Sequence, residues 1–563
     1  MTRTLRAALC AALLLAGCSS PRESRILLLG FDGLDPVAVD TLMAEGRLPH
    51  FARLRREGAY GRLQSFEPML SPILWTTIAT GKTPDQHGIG HFVAVDPRSG
   101  ESLPVTSDLR RVKALWNLFS ERDREVAVVG WWATWPPEEV RGAVVSDHLA
   151  YHFLFGGAFS AADPTAKTWP PELEGRIRPL VVRPQEIGVA DLAPFAQVSE
   201  VDLARPFDLQ DDLSHLRWLL ATTRTYRDVG LELWREERPD LEMVYFEGTD
   251  SVAHLFGHLY RAEGLAGELA TQQARFGRAV EAIYELADSV LGTFMDQLDR
   301  STILIVLSDH GFQLGALPDD PSRLRDMRRV SERYHREQGV LYLFGHGVRP
   351  GARIEGASLL DIAPTVLAAA GLPPAADMPG RVLAGAFVRE PEIERIATWE
   401  RPPGPTRGAA PRDAVADRLV RERLESLGYL GAGDAPGAPA PGALPSKESQ
   451  SNLAAIAFMR QDYGEAERIY RDLIGEHPDD AGYRTSLAGV LGARGEHAEA
   501  MAELDSAIAL DPLNPEAYQN RGALLERLGR PGEAVEQYRT ALRYRPDYEP
   551  SRRALLRLTG AFA

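Results

Sequence analysis

A chain of 563 residues with a formal net charge of −16 and only two cysteines, Cys10 and Cys18, excludes several classes of protein at once. It is long enough for more than one domain, and its acidity, with no long Lys/Arg block, argues against nucleic-acid binding. Because both cysteines lie in the first eighteen residues, the body of the protein has neither a disulfide framework nor a thiolate metal cluster.

At the amino terminus, Arg3 and Arg6 precede an apolar stretch over residues 7–15 that is too short to span a bilayer and has the layout of a secretory signal. It ends in Leu15 Ala16 Gly17 Cys18, which resembles the lipobox of bacterial lipoproteins, where the cysteine becomes the lipidated first residue. The resemblance implies a signal peptide over residues 1–18, loss of Cys10 with it, and a lipid anchor on Cys18. Ser19 is what the resemblance associates with outer-membrane sorting. The expectation is a body tethered by lipid in the bacterial cell envelope, on the outer membrane facing the periplasm, with an ordinary cleaved signal as the alternative.

From 24 to 400, short branched apolar segments at 25–30, 125–130, 143–146, 241–246, 302–307 and 340–344 alternate with helical patterns. That alternation predicts an α/β domain with a mostly parallel sheet covered on both faces, and such sheets place ligands where strands end. The first strand runs into Phe31 Asp32 Gly33. The strand from 241 is followed by Asp250 and, four residues on, His254; a helix there would put both side chains on one face. The strand from 302 runs into Ser308 Asp309 His310 Gly311. Carboxylate and imidazole donors without sulfur suit zinc, manganese or a similar divalent ion.

Gly30 Phe31 Asp32 Gly33, the segment from Ser71 Pro72 Ile73 Leu74 Trp75 to Ala79 Thr80 Gly81, Asp250 with His254, and Ser308 Asp309 His310 Gly311 together resemble the alkaline phosphatase superfamily. They are most similar to its type I phosphodiesterase/nucleotide pyrophosphatase branch, over roughly residues 25–385. The resemblance implies an αβα sandwich, two divalent metal ions, and a Thr or Ser nucleophile ten residues before the Gly of the Ala-Thr-Gly segment. Counting back from Gly81 gives Ser71. One metal would then take Asp32, Ser71, Asp309 and His310, and the other Asp250, His254 and His335, with His346 the competitor for the last position. The ions are expected to be zinc, with manganese as the alternative.

Two departures from the family pattern bear on substrate. The nucleotide pyrophosphatases carry an Asn three residues past the nucleophile, and here that position is Leu74. The sulfatase branch needs an Arg in its nucleophile motif, which Ser71 Pro72 Ile73 Leu74 lacks. The resemblance therefore implies a phosphoester hydrolase acting on a diester or pyrophosphate through a phospho-Ser71 intermediate. The alternatives are a phosphotransferase of the same fold that modifies envelope lipid or glycan, and a non-catalytic scaffold whose repeats bind protein.

Other residues have plainer readings. Ser146 Asp147 His148 repeats three letters of the strand-end motif without the following glycine and reads as a loop or pocket wall. His258 reads as surface or support for the ligands, His87 as a turn stabiliser, and Asp361 as the cap of a helix starting at Ile362. Thr76 and Thr77 read as packing residues. Trp131, Trp132 and Trp135, with residues 151–159, form either a substrate pocket or a small core.

Residues 401–446 hold a short closing helix over 414–427 and a Gly/Ala/Pro linker over 431–445. Beyond it, Ala466, Ala500 and Ala534, Tyr470, Leu504 and Tyr538, and Pro478, Pro512 and Pro546 all repeat at a period of 34. With small residues at Ala454, Ala488 and Gly522, this resembles the tetratricopeptide repeat. Residues 447–563 are thus expected to form an all-α domain of three repeats and a capping helix, either binding a protein or peptide partner or serving structure alone.

Overall fold

The computed structural model describes residues 24–95, 102–150, 167–315, 334–391, 393–400, 414–427, 447–459, 461–545 and 548–560. The lipobox with Cys18, the aromatic stretch 151–159, the linker 431–445 and Pro546 lie outside the described residues.

Among these residues the strands are, in chain order, β1 Arg25–Phe31, β2 Ala59–Gln64, β3 Val93–Val95, β4 Ser102–Pro104, β5 Val126–Val129, β6 Gly142–Val145, β7 Thr168–Trp169, β8 Leu241–Phe246, β9 Thr302–Leu307, β10 Gly311–Phe312, β11 His335–Arg336, β12 Gln338–Gly345 and β13 Arg353–Ser358. Nine of them build one sheet in the order β13-β2-β12-β9-β1-β8-β5-β6-β7, while β3 with β4 and β10 with β11 make two short ribbons. The central strands β9, β1, β8, β5 and β6 run parallel, and β12 and β7 run antiparallel to their neighbours.

All six expected segments lie on strands of this sheet. β8 and β9 are buried at every position, and β1 from Ile26 onward, so their largely apolar runs, interrupted in β8 by the buried Glu242, suit strands covered on both faces. Sequence pattern did not reveal β2, β7 or β13. For β2 and β13 the reason lies in Gly61, where a Cβ would sit 2.2 Å from the Ile354 carbonyl oxygen of β13; close backbone approach demands a residue that weakens the strand signal.

Register positions the ligands. Phe31 pairs with Phe246, and Gly30 pairs with Leu307, so β1, β8 and β9 all end at one edge. Antiparallel β12 begins at that same edge, with Leu341 opposite Leu307. Its start is pressed so closely on β9 that a Cβ at Gly339 would lie 2.2 Å from the Ser308 carbonyl oxygen.

Helix Ser71–Thr80 is buried along its whole length. Extended Leu70 and Pro72 fix its start, and Gly81, at φ 65°, ends it in the left-handed conformation with its N–H bonded to the Thr77 carbonyl. The carboxy-terminal region is a run of helices, Lys447–Met459, Tyr463–Glu476, Ala481–Arg494, His497–Leu510, Pro515–Arg527, Pro531–Tyr544 and Glu549–Thr559. Gly522 stands where a Cβ would come within 2.5 Å of the Tyr538 ring, so the small residue of the 34-residue period is needed for helix contact.

Candidate metal centre

The shared edge of β1, β8 and β9 gathers the acids and histidines. Asp32 follows β1 directly, and Gly33, at φ 61°, turns the chain where a Cβ would lie 2.8 Å from the Asp250 side chain. Asp250 and His254 sit on helix Gly248–Phe256, one turn apart, with His254 Nε2 3.4 Å from Asp250 Oδ2. His335 enters from β11, which pairs with β10 beside His310.

These side chains form two overlapping groups. Donor atoms of Asp32, Asp309 and His310 all lie within 4.8 Å of one another, and so do those of Asp250, His310 and His335. His310 Nε2 is 3.4 Å from Asp32 Oδ1, 3.8 Å from Asp309 Oδ2 and 3.9 Å from Asp250 Oδ1. His254 reaches the second group through His335, Nε2 to Nε2 at 3.0 Å. The ligand division expected from the family gave His310 to one metal and His254 to the other; here His310 stands between both groups.

Neighbouring groups orient these donors. His310 Nδ1 lies 3.0 Å from the Gly311 carbonyl, which makes Nδ1 an N–H donor and aims Nε2 at the carboxylates. Asp32 Oδ2 accepts from Tyr245 Oη at 2.5 Å and from Trp75 Nε1 at 3.1 Å, leaving Oδ1 to point inward. The Asp32 carbonyl accepts from Thr249 Oγ1. Gly30 is the platform for this arrangement, because a Cβ there would lie 2.4 Å from the Trp75 ring.

Asp32 Oδ1, Asp309 Oδ2 and His310 Nε2 are buried and have no hydrogen-bond partner. Burying such atoms unsatisfied costs several kcal/mol for charged groups, and oxygen and imidazole donors converging at this spacing match the coordination chemistry of a divalent cation. The donor set therefore fits a metal.

The electrostatics agree with that fit. Burial, followed by the negative charge of Asp32, pushes Asp309 well above the usual carboxylate range. Burial opposes charge on His310 too, but the surrounding carboxylates, Asp309 foremost, outweigh it and raise the imidazole to about 10. For Asp32, burial is opposed by the positive charge of His310, 3.4 Å away, and by the hydrogen bond from Tyr245, which together carry it below its ordinary value. Burial and then the charge of His310 depress His335 well below normal. Acids crowded together share too few compensating charges, a deficit that a cation removes.

The remaining sequence-derived candidates are placed as follows. Ser71 is buried as the first residue of its helix, four residues before Trp75, which contacts Asp32. His346 is exposed at the far end of β12, with its N–H on the Thr302 carbonyl at the start of β9, because antiparallel pairing sends it to the opposite edge. His258 is buried in the turn Gly257–Leu259, and burial depresses it to about 4. His87 bonds to Thr77 Oγ1 at 3.1 Å and accepts at Nδ1 from the Ile89 N–H. Asp361 occupies the N-cap position of the helix at Ile362, but its side chain makes no cap hydrogen bond there. Its carboxylate accepts instead from the Ser358 and Arg381 N–H groups, at 2.9 and 2.7 Å, which ties the 3-10 turn before the helix to the segment after it.

Sequence reasoning missed Trp75, Tyr245 and Thr249 as the supports of Asp32. The available signal was weak: an aromatic one helical turn beyond Ser71 and a polar-tipped aromatic near the end of a buried strand.

Comparisons with known proteins bear on this arrangement. A family model described as type I phosphodiesterase / nucleotide pyrophosphatase matches residues 26–362, more than half of the chain. Two tetratricopeptide-repeat models match residues 490–529 and 515–548. Among solved structures, the tetratricopeptide-repeat domain of Arabidopsis OM64 is similar at 24% identity, covering 20% of this chain and 95% of that one, with a TM-score of 0.20. No curated protein matches the chain.

Proposed function

Since the chain belongs to the type I phosphodiesterase/nucleotide pyrophosphatase family of the alkaline phosphatase superfamily, we propose that this phosphoester hydrolase cleaves a diester or pyrophosphate, with Ser71 as nucleophile and two divalent ions, zinc or manganese, bound at the strand-end cluster. The observation that carries the reading is the convergence of three buried, unpartnered donor atoms, Asp32 Oδ1, Asp309 Oδ2 and His310 Nε2. Asp32, Ser71, Asp309 and His310 would hold one ion, and Asp250, His254 and His335 the other, with His310 within reach of both. Bound ions supply Lewis-acid stabilisation of phosphoryl charge and lower the pKa of a coordinated hydroxyl.

The chain's own residues do the rest. Tyr245 and Trp75 keep Asp32 Oδ1 aimed inward, and burial, followed by the charge of Asp32, keeps the Tyr245 hydroxyl neutral and therefore a donor. Ser71, at the positive end of its helix, gives its hydroxyl proton to solvent, and Oγ forms a bond to phosphorus as the bond to the leaving oxygen breaks. The leaving oxygen takes a proton from water. In the second half, water attacks the phosphoserine, loses a proton to solvent, and Ser71 Oγ departs and is reprotonated. Fully buried Leu74 stands where the nucleotide pyrophosphatases place an Asn, so no side-chain amide meets the phosphoryl group there.

The reading extends to location and partners. Lipidation at Cys18 would tether the enzyme to the outer membrane facing the periplasm, supported by Leu15 Ala16 Gly17 Cys18 and Ser19. The repeats would engage a protein or peptide partner, supported by the family matches at 490–548.

The test is direct. Purified protein should contain close to two divalent ions and hydrolyse bis(p-nitrophenyl) phosphate. Ser71→Ala should retain the metal and lose turnover by about a thousandfold or more. Metal-free protein whose turnover is indifferent to that substitution would sink the proposal.

A further inference from the structure

Helix Gly248–Phe256 carries Asp250 and His254, and one of its anchors comes from outside the region that the family model matches. Helix Ala414–Leu427 places Leu419, Val420, Leu424 and Leu427 in the same hydrophobic core as the nine-stranded sheet. From the same helix Arg423, only 4% exposed, ion-pairs with Glu247 and donates from Nη2 to Ser251 Oγ at 3.3 Å. Its guanidinium lies 4.9 Å over the Trp218 ring.

The partners matter because of their positions. Glu247 is the residue between β8 and the ligand helix, and Ser251 is the neighbour of Asp250. On its other side the helix is pinned by Thr249 Oγ1, which donates to the Asp32 carbonyl. The first turn of the ligand helix is thus held from two directions. Thr249 fixes it to the loop that presents Asp32, and Arg423 fixes it to an element 172 residues further along the chain. Both contacts run through Nη2 while the guanidinium plane lies over the indole of Trp218, a stacking that an ammonium makes less well.

We propose that helix Ala414–Leu427 belongs to the functional unit of the hydrolase and that Arg423 is a positioning residue for the metal held by Asp250 and His254. This inference rests on the two-metal reading above. Arg423 touches neither metal nor substrate; it acts by fixing the rotation and depth of the first turn of Gly248–Phe256, so its loss is felt at one of the two metals.

The experiment uses the full chain, with zinc titrated against a fluorescent chelator to resolve two affinities, alongside kcat and KM for bis(p-nitrophenyl) phosphate. Arg423→Ala should weaken one site by about 10- to 100-fold, the usual effect of removing an outer-shell support, and leave the other within about twofold. The fall in kcat should exceed the change in KM. Arg423→Lys keeps the charge without the planar stack on Trp218 and should recover part of the lost affinity; it also carries the test if the alanine variant does not fold, with at least a severalfold loss at one site expected. Two zinc affinities indistinguishable from wild type in these variants, even with a lowered Tm, would overturn the inference and leave Arg423 as a stabiliser only. Equal weakening of both sites would overturn it as well. Wild-type protein that binds fewer than two ions would instead defeat the two-metal reading on which it stands.

Discussion

Ser146 Asp147 His148 and Ser308 Asp309 His310 are the same three residues placed just past two parallel strands of one sheet, β6 and β9, yet their carboxylates have opposite fates. Asp147 is satisfied locally: Oδ2 accepts from the Ala133 N–H at 3.0 Å and Oδ1 from Thr134 Oγ1 at 3.3 Å. Asp309 keeps Oδ2 buried without a partner. His148 lies flat on Trp135, with centroids 4.4 Å apart, whereas His310 stacks on another imidazole, His335, at 4.1 Å. Neighbouring strands make the difference. β9 lies between β1 and β12, which deliver Asp32 and, just before β12, His335; β6 lies between β5 and β7, whose ends at this edge carry no acid among the described residues. A strand-end motif acquires its chemistry from the adjacent strands rather than from its own letters.

The comparison can be broken most forcefully at the two histidines. His310→Ala should remove a donor that stands between both groups of ligands, cutting turnover by at least about a thousandfold, roughly 4 kcal/mol, together with metal content. The matched His148→Ala should leave metal content and kcat within about twofold of wild type, since its ring lies on Trp135 and is not one of the clustered donors. Equal losses in the two variants would show that the distinction drawn between the motifs is mistaken.

A smaller effect is expected where the two regions approach each other. Tyr245 Oη donates to Asp32 and accepts from Trp132 Nε1 at 2.9 Å, and both aromatics line a cavity that Asp147 and His148 also line. Tyr245→Phe deletes only the hydroxyl and should weaken zinc binding by about 10- to 100-fold in a chelator competition, with little change in fold.

The smallest expected effect concerns Asp147 and is a matter of pH. Burial pushes its carboxyl up to about 7, above the ordinary value near 4. The folded protein therefore holds this proton over a window, from about pH 4 to 7, in which the unfolded chain has released it. Stability contributed by the protonated form is complete below that window and is lost as pH rises through it. Asp147→Asn should accordingly gain on the order of 1 kcal/mol at pH 8, allowing for solvent screening, and almost nothing at pH 4. Chemical denaturation of both proteins at the two pH values checks this, and a gain independent of pH would contradict it.

Much of this protein can be read along the chain. The largely apolar runs of β1, β8 and β9 and the 34-residue period require no tertiary knowledge, because local burial and helix crossing impose them residue by residue. Asp32, Asp250, Asp309 and His310 were legible for a related reason: each lies where a buried strand must leave the sheet, and Gly33 marks the turn after β1. Their division between two groups was not legible. His310 stands between the groups because β1 and β12 flank β9, and strand order is not written in any one segment. The resemblance favours His335 over His346, but the segment itself does not show why. Both lie near β12 and look alike in sequence, but only its antiparallel direction sends the first to the cluster and the second to the opposite edge.

What the sequence determined by itself, then, is the inventory: a mostly parallel α/β domain with acids and histidines at strand ends, and a helical repeat array after it. Tertiary structure alone decided which of those groups meet. It brought Tyr245 and Trp75 onto one oxygen of Asp32 and left the other inward, satisfied Asp147 while leaving Asp309 Oδ2 unpaired, and returned Arg423 to the helix of Asp250. The physical reason is that burial and periodicity act over a few residues, whereas the desolvation and pairing of a charge depend on whatever the fold places within a few ångströms of it.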